Sequence, residues 1–282
     1  MEPDHERPVL ERGLGTRAFF GQARDFGVTA SASYRIARLS LGLMNGEPLS
    51  EDRSAGLDTT RGKDFVARAG LATSLEQRIW VQAGVSCLFG RGLHPGTAAT
   101  KGSVQWVDGN EDGLVDATEL VPIAGAPATA SRTFERSALG ADLRVGVAVP
   151  VLGRLQLRAE LVRAINLDRT VQPADPVASG RDLRELGLQL GLSQELTRHA
   201  EAALRYDVYE PDADAARRQG VSVVPRDTRY RTLSVALAGK LPPGRVIAQY
   251  DHQANALGRT ASGAPITLKD DAFTLRLEVR VQ

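Results

Sequence analysis

Cysteine is nearly missing: Cys87 stands alone in 282 residues, so there is no internal disulfide framework. Long apolar runs are missing as well. Mean hydropathy is −0.20, and no stretch approaches the roughly 18 to 20 apolar residues of a membrane helix. A helical membrane protein is therefore excluded. A membrane barrel is not, because its strands alternate and escape hydropathy windows. Charge of one sign is scarce, with 35 Lys and Arg against 34 Asp and Glu, so no basic excess points to nucleic acid. Aromatics reach only 5%, which is thin for the belts of a membrane protein. The first residues, MEPDHERPVLERG, lack the apolar centre of a signal peptide. Catalytic signatures are also wanting. His5, His94, His199 and His252 are scattered, no G-x-S-x-G occurs, and no phosphate-binding glycine loop opens a helix, so no enzyme is expected.

What the chain does have is alternation. Leu139, Ala141, Leu143, Val145, Val147 and Val149 occupy every second position, with Asp142 and Arg144 among the residues between them. The same period recurs at Leu155 to Leu161, at Leu186 to Leu192, and most plainly at Phe273, Leu275, Leu277, Val279 and Val281. A helix would mix these two sets on every face; a strand separates them. Weaker versions at Phe26 to Leu43, Phe65 to Thr73, Ile79 to Phe89, Ala202 to Val208, Leu233 to Leu237 and Val246 to Tyr250 bring the expected total to about ten strands. Leu192 to Tyr206 is rich in helix formers, yet Ala202, Leu204, Tyr206 and Val208 alternate, and we read it as a turn followed by a strand.

Links between strands alternate in length. Short ones fall at Ser74 to Gln77, Pro150 to Gly153, Gln194 to His199 and Lys240 to Gly244. Long ones fall at Asn45 to Lys63, Gly90 to Thr133, Asn166 to Arg181, Glu210 to Arg229 and His252 to Asp271. Short turns at one end and long loops at the other are the habit of outer-membrane barrels. The expected fold is thus all-β, an antiparallel up-and-down transmembrane β-barrel. A soluble or cell-surface β-rich interaction module also alternates apolar and polar residues and stays open as the alternative.

The front of the chain carries HERP (His5 to Pro8), GQARDFGVTAS (Gly21 to Ser31) and LGLMNGEP (Leu41 to Pro48). With KDFVARAG (Lys63 to Gly70) and LRYDVYEPD (Leu204 to Asp212), these motifs resemble the phosphate-selective porin family of Gram-negative outer membranes. The matching residues are Glu6, Arg7, Arg24, Asp25, Gly27, Asn45 and Gly46. The resemblance implies a homotrimer of larger, sixteen-stranded-type barrels in outer-membrane lipid, passing small anions or other small solutes. It places this chain at the C-terminal portion of such a protein, through truncation or a misplaced start. Residues 1–24 are then a remnant of a preceding strand or loop, and 25–282 the barrel domain. The family's arginine ladder has no residue-by-residue match here, so phosphate specificity is not inherited and phosphate is only one candidate solute; weak anion selectivity is expected instead from the modest lead of arginine on the polar rows.

If the apolar set faces lipid, the opposite set lines a pore: Arg68, Arg78, Arg144, Arg154, Arg158, Glu160, Arg205, Arg245, Arg276, Glu278 and Arg280. Fixed charges of this kind bias which ions enter a wet pore. Equally, cross-strand carboxylates could pair with these arginines and hold the lumen rigid.

One further motif, DGNEDGLVDATEL, has the ligand spacing of an EF-hand calcium loop. Asp108, Asn110, Asp112, the Leu114 carbonyl, Asp116 and Glu119 occupy the ligand positions, with Gly113 at the tight turn. The flanks argue against paired helices: GSVQWV before it is β-prone, and Pro122 follows closely. The expectation is a solitary Ca2+ loop at 108–119 that stiffens the longest outer link.

Overall fold

The computed structural model describes residues 13–20, 25–46, 62–76, 78–219, 222–225, 227–241, 244–255, 258–261 and 265–279. In chain order the elements are α1 (Leu14–Phe20), β1 (Gly27–Tyr34), β2 (Ala37–Met44), β3 (Asp64–Leu75), β4 (Ile79–His94), β5 (Ser103–Trp106) and β6 (Leu120–Ile123). Then come β7 (Arg132–Val149), β8 (Gly153–Ile165), α2 (Pro176–Ser179), β9 (Arg184–Thr197), β10 (Ala200–Glu210), β11 (Ala216–Gln219) and β12 (Ser222–Pro225). β13 (Tyr230–Leu241), β14 (Gly244–Ala254), β15 (Gly258–Arg259), β16 (Pro265–Ile266) and β17 (Ala272–Val279) complete the chain.

Eleven strands form one antiparallel sheet in the order β1-β2-β3-β4-β7-β8-β9-β10-β13-β14-β17, an uninterrupted meander with β1 and β17 at its edges. The pairs β5–β6, β11–β12 and β15–β16 are separate two-stranded hairpins, each carried within a long link. All long links therefore leave one end of the sheet and all tight turns the other. The link-length alternation seen in the sequence is the same fact in one dimension.

Several elements differ from expectation. Phe26 to Leu43 is two strands, which raises the count from about ten to eleven; the reversal at Arg35 and Ile36 pairs Tyr34 with Ala37. Arg35 takes φ of 52° there, and no Gly, Pro, Asn or Asp marks the turn. β4 and β7 run for 16 and 18 residues, past the apolar stretch, because ladder hydrogen bonds continue after the outward residues become Arg91 and Glu135. Leu14–Phe20 is a helix rather than a strand or loop. The ambiguous Leu192 to Tyr206 is strand rather than helix, but its turn is shorter than the expected Gln194 to His199: β9 continues to Thr197, and β10 begins at Ala200.

The two faces of the sheet are inverted relative to a water-soluble protein. On β17, Phe273, Leu275 and Leu277 are 67–72% exposed, while Thr274, Arg276 and Glu278 are half-buried. On β10 and β13, Leu204, Tyr206, Leu233, Val235 and Leu237 face out; Arg205, Asp207, Thr232 and Ser234 are buried. The buried apolar cluster among the described residues is only Ala203, Ala236, Ala238 and Ile247. Accessible surface is 18,675 Å², against roughly 11,700 Å² for a soluble monomer of this mass. Apolar burial is not what holds this open sheet together.

Ion pairs that cross an intervening strand take that role. Arg136 on β7 donates to Asp64 on β3 over Gly90 of β4, with both side chains at most 7% exposed. Arg68 on β3 forks onto Asp142 on β7 at 2.6 and 2.8 Å over Gly84. Arg205 on β10 donates to Ser234 on β13 at 2.8 Å and lies 3.9 Å from Asp251 on β14. Bridging second-neighbour strands requires a small residue between them. A Cβ at Gly90 would stand 1.8 Å from Asp64 Oδ1, and one at Gly84 would stand 2.5 Å from the Arg68 guanidinium.

Gly90→Ala should therefore expel Asp64 from Arg136 and lower stability by roughly 1–3 kcal/mol, the usual cost of overpacking. Gly239→Ala, whose Cβ would meet nothing nearer than 4.0 Å, serves as the control. Denaturant midpoints compare the two; equal midpoints would refute the crossing-strand argument.

Candidate functional site

The inner face gathers most of the expected lining residues. Arg68, Arg144, Arg158, Glu160, Arg205, Arg245, Arg276 and Glu278 all project to it. Arg154 lies at its exposed turn end, and Arg78 lies in the β3–β4 turn itself. Arg280 falls outside the described residues. Most of these arginines meet an acceptor. Arg245 donates to Glu278 at 2.6 Å, Arg276 stands 2.9 Å from Glu278, and Arg158 forks onto Gln156 at 2.6 and 3.2 Å. Arg144 and Arg158 face each other directly across β7 and β8, two like charges in one rung. Asp142 and Glu160 occupy the next rung, so the centre of the face is graded from basic to acidic.

Helix α1 lies on this face against β9 and β10. The Leu14 amide donates to Asp207 at 3.0 Å, and the Thr16 hydroxyl donates to Gln189 at 3.0 Å. Phe19 meets Tyr209 edge-on, with ring centroids 5.6 Å apart. Seven residues make a marginal helix on their own; here polar acceptors on the sheet replace missing partners at its first turn.

At the loop end, the link between β8 and β9 is fastened down. Asp168 accepts from the amides of Thr170, Val171 and Gln172 at 2.7–3.0 Å and from the Tyr209 hydroxyl. Glu185 accepts from the amides of Leu167 and Asp168 at 3.0 and 2.9 Å, and Thr170 donates to the Arg17 carbonyl at 2.8 Å. Asp175 caps α2 by accepting from Val177 and Ala178, and its other oxygen is 2.6 Å from His94 Nδ1. Burial alone would raise the Asp175 carboxyl, but the Ala178 amide and the His94 ring outweigh it and hold it below the ordinary range. Asp64, Asp168 and Tyr209 did not stand out in the sequence. Each depends on a partner at least 40 residues away, which periodicity does not reveal.

The 108–119 loop is the turn of the β5–β6 hairpin, whose last rung is Trp106 with Leu120. Its first half is wound around Gly113, which takes φ of 72°. The Asp108 carboxylate accepts from the Asp112 and Gly113 amides at 3.2 and 2.9 Å. Asn110 Oδ1 accepts from Asp112 at 3.0 Å, and Asp112 Oδ1 accepts from Leu114 at 2.7 Å. The second half turns elsewhere: Asp116 caps the 3₁₀ turn Ala117–Glu119, and Glu119 accepts from the Trp106 indole at 2.9 Å and the Gly109 amide at 3.2 Å. Among the described residues no three acidic, His or Cys side chains converge as a metal site. Asp108, Asn110 and Asp112 are engaged by amides of the loop's first half, whereas Asp116 and Glu119 are turned to the second half and to Trp106.

The Trp106 indole, joined by the loop amides, holds the Glu119 carboxyl below its ordinary value of 4.5. A depressed carboxylate stabilises fully above its unfolded value, and that contribution disappears as pH falls through the folded one. In a Trp80→Phe background, Trp106 emission should hold constant above about pH 4.5 and shift to the red below it. A flat profile in that acid range would remove the Trp106–Glu119 clamp. Comparison with known proteins finds no matching family model, no matching curated protein and no matching solved structure.

Proposed function

We propose that this chain is the wall of an outer-membrane porin, a transmembrane β-barrel passing small solutes with weak preference for anions. One observation carries the reading: the apolar rows of the sheet are exposed and the charged rows are inside. Water penalises that arrangement and a bilayer rewards it. The dimensions agree. On β4 the apolar outward row runs from Ile79 to Phe89; at ~3.3 Å per residue and a tilt of about 40° it stands about 25 Å tall, the height of a barrel's apolar band. Beyond it the outward residues become Arg91 and Glu135. Outward aromatics also favour the loop end: Phe26, Phe65, Phe89, Tyr206, Tyr250 and Phe273 lie in the loopward parts of their segments, and among the described residues only Tyr34 answers at the turn end. Aromatic belts mark membrane interfaces.

Strand direction supports a larger barrel. In a meander of eleven, β1 and β17 run parallel. Antiparallel closure with an even total needs an odd number of additional strands, in keeping with a C-terminal portion of a sixteen-stranded type. The inner face supports that weak preference: Arg144 and Arg158 share one rung, beside the rung of Asp142 and Glu160, and so place a local positive field at mid-strand.

Purified chain should require detergent, and the closed barrel of which it forms the wall should give stepwise ohmic conductance in planar bilayers, with a reversal potential slightly on the anion side. Arg144→Glu with Arg158→Glu should move that potential to the cation side. A chain soluble without detergent and without conductance would instead support the soluble or cell-surface β-rich calcium-binding module.

We further propose that the 108–119 loop takes Ca2+ with the weak affinity of extracellular modules, on the order of 10⁻⁴ to 10⁻³ M. Asp108, Asn110, Asp112 and the Leu114 carbonyl would hold it together with Asp116 and Glu119, and the ion would stiffen the link between β4 and β7. Millimolar calcium should slow proteolysis within Gly90 to Thr133, and Asp108→Ala should abolish that protection. Cleavage indifferent to calcium removes the proposal.

A further inference from the structure

Charged residues on the outward rows occur only at the loop end, and nearly all face an opposite charge. Arg91 is cross-strand from Glu135. Arg184 lies 3.2 Å from Asp214, Arg231 lies 3.2 Å from Asp227, and His252 Nδ1 lies 3.0 Å from Asp271. Glu210 lies in the field of Arg229 and Arg231. Arg163 is the exception. On β8 it points out between Leu139 of β7 and Leu186 of β9, is exposed, and has no carboxylate partner among the described residues. Its position is two residues from the rung in which Phe89, Ser137 and Ile165 line up.

The aromatic belt has a gap at this place. Outward aromatics occupy the flanking strands β3 and β4 on one side and β10 on the other, whereas the outward residues of β7, β8 and β9 include none. A guanidinium cannot discharge itself. Placed among leucines at an interface, it lowers its energy by extending toward an anion that the bilayer itself supplies. Its planar fork matches phosphate oxygens, and the Arg184 guanidinium lies diagonally beside it to add positive field.

We propose that Arg163, in the gap of the aromatic belt across β7–β9, binds the phosphate of an anionic lipid headgroup in the leaflet that the long links face, for which phosphatidylglycerol serves as the probe. The proposal rests on the membrane-spanning reading. Arg163→Leu continues the apolar row between Leu139 and Leu186, so folding should survive it.

The test embeds the full chain in phosphatidylcholine vesicles containing a minor fraction of phosphatidylglycerol. Lipid retained after gentle detergent release is then counted by native mass spectrometry. Wild type should retain phosphatidylglycerol over phosphatidylcholine about fivefold better than Arg163→Leu, the factor equivalent to the roughly 1 kcal/mol of one basic group at an anionic surface. Arg163→Lys should fall between them, keeping the charge without the fork. Excess inorganic phosphate should leave retention unchanged; displacement by it would reassign the site to a free anion and overturn the proposal. Equal retention by wild type and Arg163→Leu overturns it as well, as does loss of oligomer mass in Arg163→Leu, which would make this face a contact between copies. Failure of wild type to enter phosphatidylcholine vesicles at all is a different result, and it would sink the membrane-spanning reading itself.

Discussion

Everything in this molecule depends on charge pairs that reach across a strand. Asp64–Arg136, Arg68–Asp142 and Arg205–Asp251 each join second-neighbour strands on one face, and the strand between them presents Gly90, Gly84 or Ser234. A soluble sheet buries an apolar face against a second layer. This sheet curls its charged face inward instead and leaves the leucines of β9, β10 and β13 outside. The small residues on the middle strands are therefore as necessary as the charges: without Gly90, the guanidinium of Arg136 and the carboxylate of Asp64 could not meet.

The same inward face positions the rest. Asp207 and Gln189 hold the first turn of α1, Tyr209 gives Phe19 a ring to meet, and Asp168 and Glu185 bind the start of the β8–β9 link to the sheet's loop end. A polar wall offers acceptors at many depths, so a short helix and a long link can both dock on it without an apolar core. Under the porin reading, that is also how a channel keeps rigid walls while remaining wet. On that face two like charges share the rung at Arg144 and Arg158, and Asp142 and Glu160 occupy the next.

Most of the sheet was legible as period two, because alternation along a strand is fixed by backbone pleating and needs no knowledge of neighbours. The long and short links were legible for the same reason: Gly, Pro, Asp and Ser mark loops locally. What escaped was whatever lacked local chemistry. The Tyr34–Ala37 turn contains Arg35 and Ile36, neither a turn former, so two strands read as one. The extension of β4 to His94 escaped because its outward residues change from apolar to charged while the ladder continues. The 108–119 loop was legible in its first half, where Asp108, Asn110 and Asp112 serve a turn encoded by Gly113. Glu119 was not, since its acceptor role toward Trp106 exists only once β5 and β6 pair.

Sequence alone determined the strand period, the residues on each face, the ends at which long links cluster and the candidate ligand spacing, because these follow from covalent neighbours and backbone geometry. Which face turned inward, and which arginine met which carboxylate, was decided only by the tertiary structure. Pairing in register sets β3 and β7 on either side of β4, and β10 and β14 on either side of β13, and only then does a glycine such as Gly90 become the gap through which two charges touch.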